Sequence, residues 1–293
     1  MERNFSLKAP AKINLGLTVL ARRTDGYHEI ESVMQQISLA DTLFFEAVSG
    51  SRWHFFCTDQ QLSGADNLVN RAAALLEQQA GKALAGVRIT LYKNIPVAAG
   101  LAGGSADAAA TLRGLNQFWN LGLDKTTLLK MGALLGSDVP FCLQGGTALA
   151  RGRGEQLEKL PPLPFFWLVL VLPTNLQMST SAAYSSFDLN QIGTPSLHPL
   201  LEAIRKGSKR KILGWLGRGF TNTLETALLP GSTQLQNIKR KLENLGLQPV
   251  LSGSGPTLFI LTEKYSLARV TARVIEQEGC RAYLCWTTAD RGS

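Results

Sequence analysis

The sequence predicts an α+β protein of two domains, and three observations carry that prediction. Its 293 residues are 45% hydrophobic and 18% charged, enough apolar chain to bury a core in each of two domains at ~150 residues apiece. The first half runs strand, small-residue loop, helix, while the second mixes short strands with helices. Between them the texture turns to glycine and proline, in Arg151-Gly-Arg-Gly154 and Pro161-Pro-Leu-Pro164. That shift places the boundary so that the domains are 1–160 and 161–293.

The elements follow in order. Ser6 to Leu20 carries apolar residues at Ile13, Leu15, Leu17 and Val19, the alternation of a half-buried strand, and Thr24-Asp-Gly26 supplies the turn after it. Asp66-Asn67 opens a run with Leu68, Val69, Ala72, Ala73, Leu75 and Leu76 on one side, closed by Gly81: a helix with its cap, its period and its stop. Arg88 to Ile95 alternates again and is ended by Pro96. Asp107 to Trp119 has Ala109, Leu112, Leu115 and Trp119 at near-helical spacing, and a third helix runs from an Asp124 cap to Gly136. Pro140 suits the first turn of a fourth. Beyond the boundary, 165–172, 257–262 and 281–286 read as strands, and Thr233 to Asn244 and Ser266 to Gln277 as helices.

Composition excludes several classes. The longest apolar run, Phe165 to Leu172, falls far short of the ~20 residues of a membrane helix, and the charged start Met1 to Lys8 has no apolar core of a signal peptide. The cytoplasm is the expected compartment. Cys57, Cys142, Cys280 and Cys285 form no CxxC pair, and His28, His54 and His198 are scattered, so neither a zinc site nor a disulfide framework is expected. The net charge of +8 belongs to the second half: 13 basic against 12 acidic residues in 1–150, but 17 against 10 in 151–293. Much of it lies in Arg205 to Lys211, read as a solvated loop that would also suit an anionic partner.

Two glycine-bearing loops stand out. In Pro96-Val-Ala-Ala-Gly-Leu-Ala-Gly-Gly-Ser-Ala106 almost every side chain is small, so backbone N–H groups can approach a ligand and the next helix offers its positive end, as a phosphate cradle requires. Taken alone, the loop fits a close helix–sheet packing equally well. It is neither a Walker A loop nor a dinucleotide fingerprint. Ser105 is expected to cap the following helix when no ligand is bound, its hydroxyl otherwise reaching a phosphate or Mg²⁺. The second loop is Leu251-Ser-Gly-Ser-Gly-Pro256.

Ala9-Pro-Ala-Lys-Ile-Asn14, Pro96 to Ser105 and Leu251 to Pro256 together resemble, in order and spacing, the galactokinase, homoserine kinase, mevalonate kinase and phosphomevalonate kinase (GHMP) superfamily. Thr24-Asp-Gly-Tyr-His28 and Leu135-Gly-Ser-Asp-Val-Pro140 resemble its branch of 4-diphosphocytidyl-2-C-methyl-D-erythritol kinases, in the non-mevalonate isoprenoid pathway. The resemblance covers most of the chain. It implies an N-terminal α/β domain like domain 2 of ribosomal protein S5, a C-terminal ferredoxin-like α+β domain and an active site in the cleft between them. The implied reaction moves the γ-phosphoryl of ATP, with Mg²⁺, to the 2-hydroxyl of the cytidyl substrate.

By the same resemblance Asp138 is the catalytic aspartate and Lys12 its lysine partner, a pair that without the motifs would be read as a structural ion pair. Phosphoryl transfer asks the protein mainly to position groups and stabilise charge. Pro96, Val97, Ala98, Ala99, Gly100, Leu101, Ala102, Gly103, Gly104, Ser105 and Ala106 would hold ATP, with Asn67 near the nucleotide. Tyr27 would stack on the cytosine, His28 would read its edge, Tyr184 would close the other face and Asn14 would touch the polyol. No acidic residue is assigned as a Mg²⁺ ligand. Ala98, Ala99 and Ala102 stand where some relatives carry glycine, and Ala106 where many carry serine, so an intact cradle requires these positions to be in ordinary backbone regions. The partners expected are small molecules, not nucleic acid or membrane, and the chain is expected to be a monomer or weak homodimer. An RNA-binding protein is the rival from another class, motivated by a pI of about 9.5. No aromatics interleave its basic segment.

Overall fold

Two long strands open the chain. β1 (Phe5–Arg22) and β2 (His28–Ala47) pair with each other. The turn between them is made by Asp25, whose Oδ1 accepts the Tyr27 N–H at 3.1 Å, and by Gly26 at φ +85°. The computed structural model describes residues 4–81, 84–174, 176, 196–219 and 221–289. They form two compact units: Met1–Ala11 with Leu39–Val97 and Ala102–Gln144, and Lys12–Ser38 with Ala98–Leu101 and Gly145–Ser293. Neither is a continuous stretch of chain, since β1 and β2 contribute to both.

In the first unit the C-terminal half of β2 pairs antiparallel with β4 (Val87–Tyr92), and β4 pairs parallel with β3 (Trp53–Cys57). Four helices complete it: α1 (Leu68–Ala80), α2 (Gly103–Phe118), α3 (Lys125–Leu135) and α4 (Val139–Gln144). α1 begins where Asn67 Oδ1 accepts the Val69 N–H and ends at Gly81 with φ +60°. α3 begins where Asp124 Oδ1 accepts the Thr127 N–H at 2.8 Å. Phe45 anchors the core, stacked on Phe5 at 5.1 Å. A side chain at Gly114 would drive into its ring, so α2 can approach β2 only with glycine there. Burying that phenyl contributes about 1.5–3 kcal/mol.

In the second unit the N-terminal half of β2 pairs antiparallel with β5 (Thr147–Arg151), and β5 with β6 (Gln156–Lys159). A separate sheet of β7 (Trp167–Pro173), β8 (Val250–Leu251), β9 (Leu258–Thr262) and β10 (Cys280–Trp286) is antiparallel throughout, in the order β10-β7-β9-β8. α5 (His198–Arg205), α6 (Lys209–Leu216), α7 (Glu225–Leu228) and α8 (Thr233–Asn244) lie between β7 and β8, and α9 (Tyr265–Gln277) between β9 and β10. That order is the ferredoxin-like arrangement the family resemblance implied. Leu235 and Leu242 of α8 and Ile275 of α9 pack with Val169, Val171 and Leu258 of the sheet. No helix of the described residues is long and apolar enough to cross a membrane.

Three expectations need correction. The helix expected from Asp107 starts four residues earlier, at Gly103. Ser105 is therefore its third residue and does not cap it; the cap position is Ala102, which offers no side-chain hydrogen bond. Ala98 and Ala102 are not in ordinary backbone regions but left-handed, at φ +53° and +57°. The run Arg205 to Lys211 is also more than a loop, for it ends α5, turns at Gly207 (φ +60°) and begins α6. Its charges find acids: Arg205 pairs with Glu158 at 3.2 Å and Lys209 with Glu263 at 3.3 Å.

Candidate active site

Residues 11–14 of β1 are all buried, so the polar side chains among them must find partners inside. Lys12 Nζ donates to Asn14 Oδ1 at 2.7 Å, Asn14 Nδ2 donates to Ser32 Oγ at 2.8 Å, and Ser32 Oγ donates to the Gly16 carbonyl at 2.8 Å. The Lys12 N–H also donates to the Leu101 carbonyl at 3.1 Å, which brings residues 98–101 of the first glycine loop to this strand. The second glycine loop meets both. A Cβ on Gly253 would sit 3.1 Å from Asn14 Oδ1 and 3.6 Å from Lys12 Nζ, and one on Gly100 3.0 Å from the Gly255 carbonyl oxygen. Ser252 Oγ donates to the Gly100 carbonyl at 3.1 Å. Parts of the three short segments that suggested the superfamily, residues 12–14, 98–101 and 252–255, thus converge within the second unit, where the Lys12 ammonium is buried.

Two side chains hold the second loop in place, and sequence reasoning missed both. Asn222, fully buried, donates from Nδ2 to the carbonyls of Leu251 at 3.0 Å and Gly253 at 2.8 Å, and accepts the Leu224 N–H. Glu225 Oε1 accepts the Leu251 N–H at 2.9 Å while Oε2 binds the buried Lys239 ammonium. Burial pushes the Glu225 carboxyl above its ordinary range, against the pull of Lys239. A buried Asn and Glu near a turn carry no periodic signal; only the fold reveals what they bind.

Residues 98–102 of the first loop take three left-handed backbone positions, Ala98, Gly100 (φ +74°) and Ala102. For alanine that conformation costs about 1–2 kcal/mol each, strain of the kind that persists at functional sites. Because Ala102 offers no side-chain cap, the first-turn N–H groups of α2 remain to receive an anion, and Gly103, Gly104 and Ser105 are at least partly exposed. Lys93 lies against the start of this helix: a Cβ on Gly103 would be 3.3 Å from its ammonium. That ammonium bridges Asp41 at 2.5 Å and Asp107 at 2.8 Å. Asp41 also accepts the N–H groups of Asn94 and Ile95, which fixes the chain entering Pro96. Burial would pull the Lys93 ammonium down, but Asp107 and Asp41 outweigh it and hold it up. Burial raises Asp107 to about 7, with Lys93 opposing the rise and Asp41 adding to it; its Oδ1 has no hydrogen-bond partner among the described residues.

Asp138 immediately precedes α4, half-buried, and its carbonyl accepts the Cys142 N–H at 3.1 Å, the first bond of that helix. Asn67 caps α1 and donates its amide to the Leu62 carbonyl at 2.7 Å. Both belong to the first unit. Tyr27 and His28 form a separate cluster in the second. The Tyr27 ring is 51% exposed, and the Arg153 guanidinium lies 4.6 Å from its centroid. Burial, aided by Arg22, lowers the His28 pKa, which favours the neutral imidazole that can both donate and accept. Tyr184 lies outside the described residues. No group of three or more His, Cys, Asp or Glu among the described residues could hold a metal ion.

Residues 67–146 match the family described as GHMP kinases N terminal domain. The 4-diphosphocytidyl-2-C-methyl-D-erythritol kinase of Moorella thermoacetica is 46% identical over 279 residues, 93% of this chain and 95% of that one. The enzyme of the same name from Listeria innocua is 42% identical over 272 residues, 90% of each. A crystal structure of 4-(cytidine 5'-diphospho)-2C-methyl-D-erythritol kinase superposes with a TM-score of 0.82 at 37% identity, covering 98% of this chain and all of that one. Motifs, fold and these likenesses agree, and the chain belongs to the 4-diphosphocytidyl-2-C-methyl-D-erythritol kinase family of GHMP kinases.

Proposed function

We propose that this chain transfers the γ-phosphoryl group of ATP to the 2-hydroxyl of 4-diphosphocytidyl-2-C-methyl-D-erythritol, releasing the 2-phosphate and ADP. The observation that carries the reading is the Lys12 ammonium, buried beside Asn14 and laid against the Gly253 turn. A buried cation flanked by close-approaching backbone suits charge developing on a transferred phosphoryl group. In the step, the acceptor oxygen forms its bond to the γ-phosphorus as the bond to the β,γ-bridging oxygen breaks. The hydroxyl proton passes to the Asp138 carboxylate, and ADP leaves. Mg²⁺, carried in with ATP, would be held chiefly by phosphate oxygens and water and would offset the charge of the phosphates.

The loop from Pro96 to Ala106 receives the phosphates, its uncapped α2 N–H groups turned to anion binding, and Asn67 lies on the nucleotide side. Asn14 orients the polyol. Tyr27 offers its exposed face to the cytosine, His28 reads the base edge and Tyr184 takes the opposite face. We place the enzyme in the cytoplasm as a monomer or weak homodimer. ADP release with the cytidyl acceptor, beside homoserine and mevalonate, tests the substrate. Turnover confined to the cytidyl compound is expected, whereas turnover only with a control would leave Tyr27 and His28 without a base to read. Asp138→Asn should lower kcat at least about a hundredfold with both ligands still bound in a titration; turnover like the parent's would remove Asp138 from the mechanism.

A further inference from the structure

We propose that Arg153 is a specificity-determining positioning residue, which braces the inner face of Tyr27 so that the ring presents its outer face, already posed, to the cytosine. The proposal rests on the reading of Tyr27 as the stacking platform. Its basis is geometric. β2 and β5 pair antiparallel with Ser32 opposite Ala150, and the Ile30 N–H donating to the Gly152 carbonyl at 2.8 Å carries that ladder to its end. The turn at 23–27 and the turn at 151–154 therefore emerge side by side.

Each turn is fixed from within. On one side the Arg23 N–H donates to the Tyr27 carbonyl at 2.8 Å, the Tyr27 N–H donates to Asp25, and the Arg23 guanidinium binds Glu29 at 2.7 Å. On the other, Gly152 and Gly154 at φ +70° and +113° make the bend, and the Arg153 N–H donates to Glu155 at 2.7 Å. Glu29 ties the two together by accepting the Gly152 N–H at 3.0 Å. The guanidinium that results stands over the Tyr27 ring at 4.6 Å, and half the residue still faces solvent. Contrast Lys209, which lies 5.7 Å from the ring of Phe166, a fully buried residue with no face to offer a ligand.

A cation on a π-face holds a ring that would otherwise sample its rotamers, so the base meets a platform whose ordering has already occurred. The effect of a cation–π contact at such an exposed site corresponds to about two- to fivefold in affinity. Cytidine and CDP serve as probes in calorimetric titrations of the parent protein, Tyr27→Ala, Arg153→Met, Arg153→Lys and the double variant Tyr27→Ala/Arg153→Met. Arg153→Met should weaken both probes about two- to fivefold, leave kcat and the KM for ATP unchanged, and be partly rescued by Arg153→Lys, which restores a cation. In the double variant it should add nothing to Tyr27→Ala, because the platform it braces is gone.

Parent-like affinity in both Arg153 variants while Tyr27→Ala weakens binding would overturn the proposal and leave the platform standing. Additive losses in the double variant, or a loss seen with CDP but not with cytidine, would also overturn it, since Arg153 would then touch the ligand itself. No effect of Tyr27→Ala would instead sink the platform reading, and this inference with it.

Discussion

Both glycine loops have a buried lysine and carboxylate behind them, yet the two are built to opposite standards. At the second loop Lys239 meets one carboxylate, and both oxygens of Glu225 are bonded, one to the ammonium and one to the Leu251 N–H; the left-handed positions fall on Gly253 and Gly255. At the first, Lys93 is shared by Asp41 and Asp107, one oxygen of Asp107 has no partner among the described residues, and two of the left-handed positions fall on alanine. Local rules are satisfied at one loop and broken at the other. Such breaks concentrate where a backbone must be held ready for something else, here the loop we propose for the phosphates of ATP.

The largest consequence concerns the lysines. Lys93→Met strands two carboxylates in the core and should cost about 3–5 kcal/mol in urea unfolding, part of it regained in Lys93→Met/Asp107→Asn. Glu225→Gln keeps an acceptor for the Leu251 N–H but leaves the buried Lys239 ammonium without its counter-charge, one stranded charge against two, so a loss of about 3 kcal/mol, the lower end of that range, is expected. Equal losses for the two single variants would erase the contrast between the loops.

How far the sequence foretold these features depends on whether a feature is local. Helices whose caps are written in the chain were legible: Asn67 to Gly81 and the helix from Asp124 appear where expected, and Thr233–Asn244 matches at both ends. β2 was not, and no element was assigned between Gly26 and Asp66. Its buried stretch includes Gln35, whose amide donates to the Gln36 and Thr288 carbonyls and accepts from Thr147 Oγ1, so a core position reads as polar and the alternation breaks. Lys12 and Asn14 were named from motif resemblance, and the structure adds what resemblance could not supply, their bond to each other and the approach of Gly253. Lys93, Asp41 and Asn222 escaped notice because their partners lie 14 to 54 residues away, or on backbone carbonyls. Arg153 escaped for the same reason.

The next effect is a pH dependence. Folded, Asp107 keeps its proton up to about 7; in the unfolded chain it releases it near 3.8. Between those values the folded protein binds more protons, so this group's stabilisation is complete below about pH 4 and is lost as the pH rises through about 7. Glu225, also raised, acts in the same direction. The melting temperature should therefore fall from about pH 5 to about pH 8, and Asp107→Asn should flatten that slope more than Glu225→Gln does, because Asp107 lacks the second donor that Glu225 has. A slope untouched by Asp107→Asn would mean that Asp107 does not hold the proton on which the slope depends.

Ala102 carries the smallest effect. An alanine at φ +57° burdens the folded chain by about 1–2 kcal/mol, whereas glycine returns about 0.4–1 kcal/mol of freedom to the unfolded one. The difference leaves Ala102→Gly stabilising by up to about 1.6 kcal/mol. Gly100→Ala runs the other way, because besides its φ of +74° the new methyl would drive into the Ser252 carbonyl oxygen and approach that of Gly255 at 3.0 Å. Urea midpoints of the two variants, read against the same exchange at Gly253, measure how much strain each loop stores. A first loop that gains nothing from Ala102→Gly stores none there, and the asymmetry between the loops would then rest on Ala98 and on Asp107, one oxygen of which has no partner among the described residues.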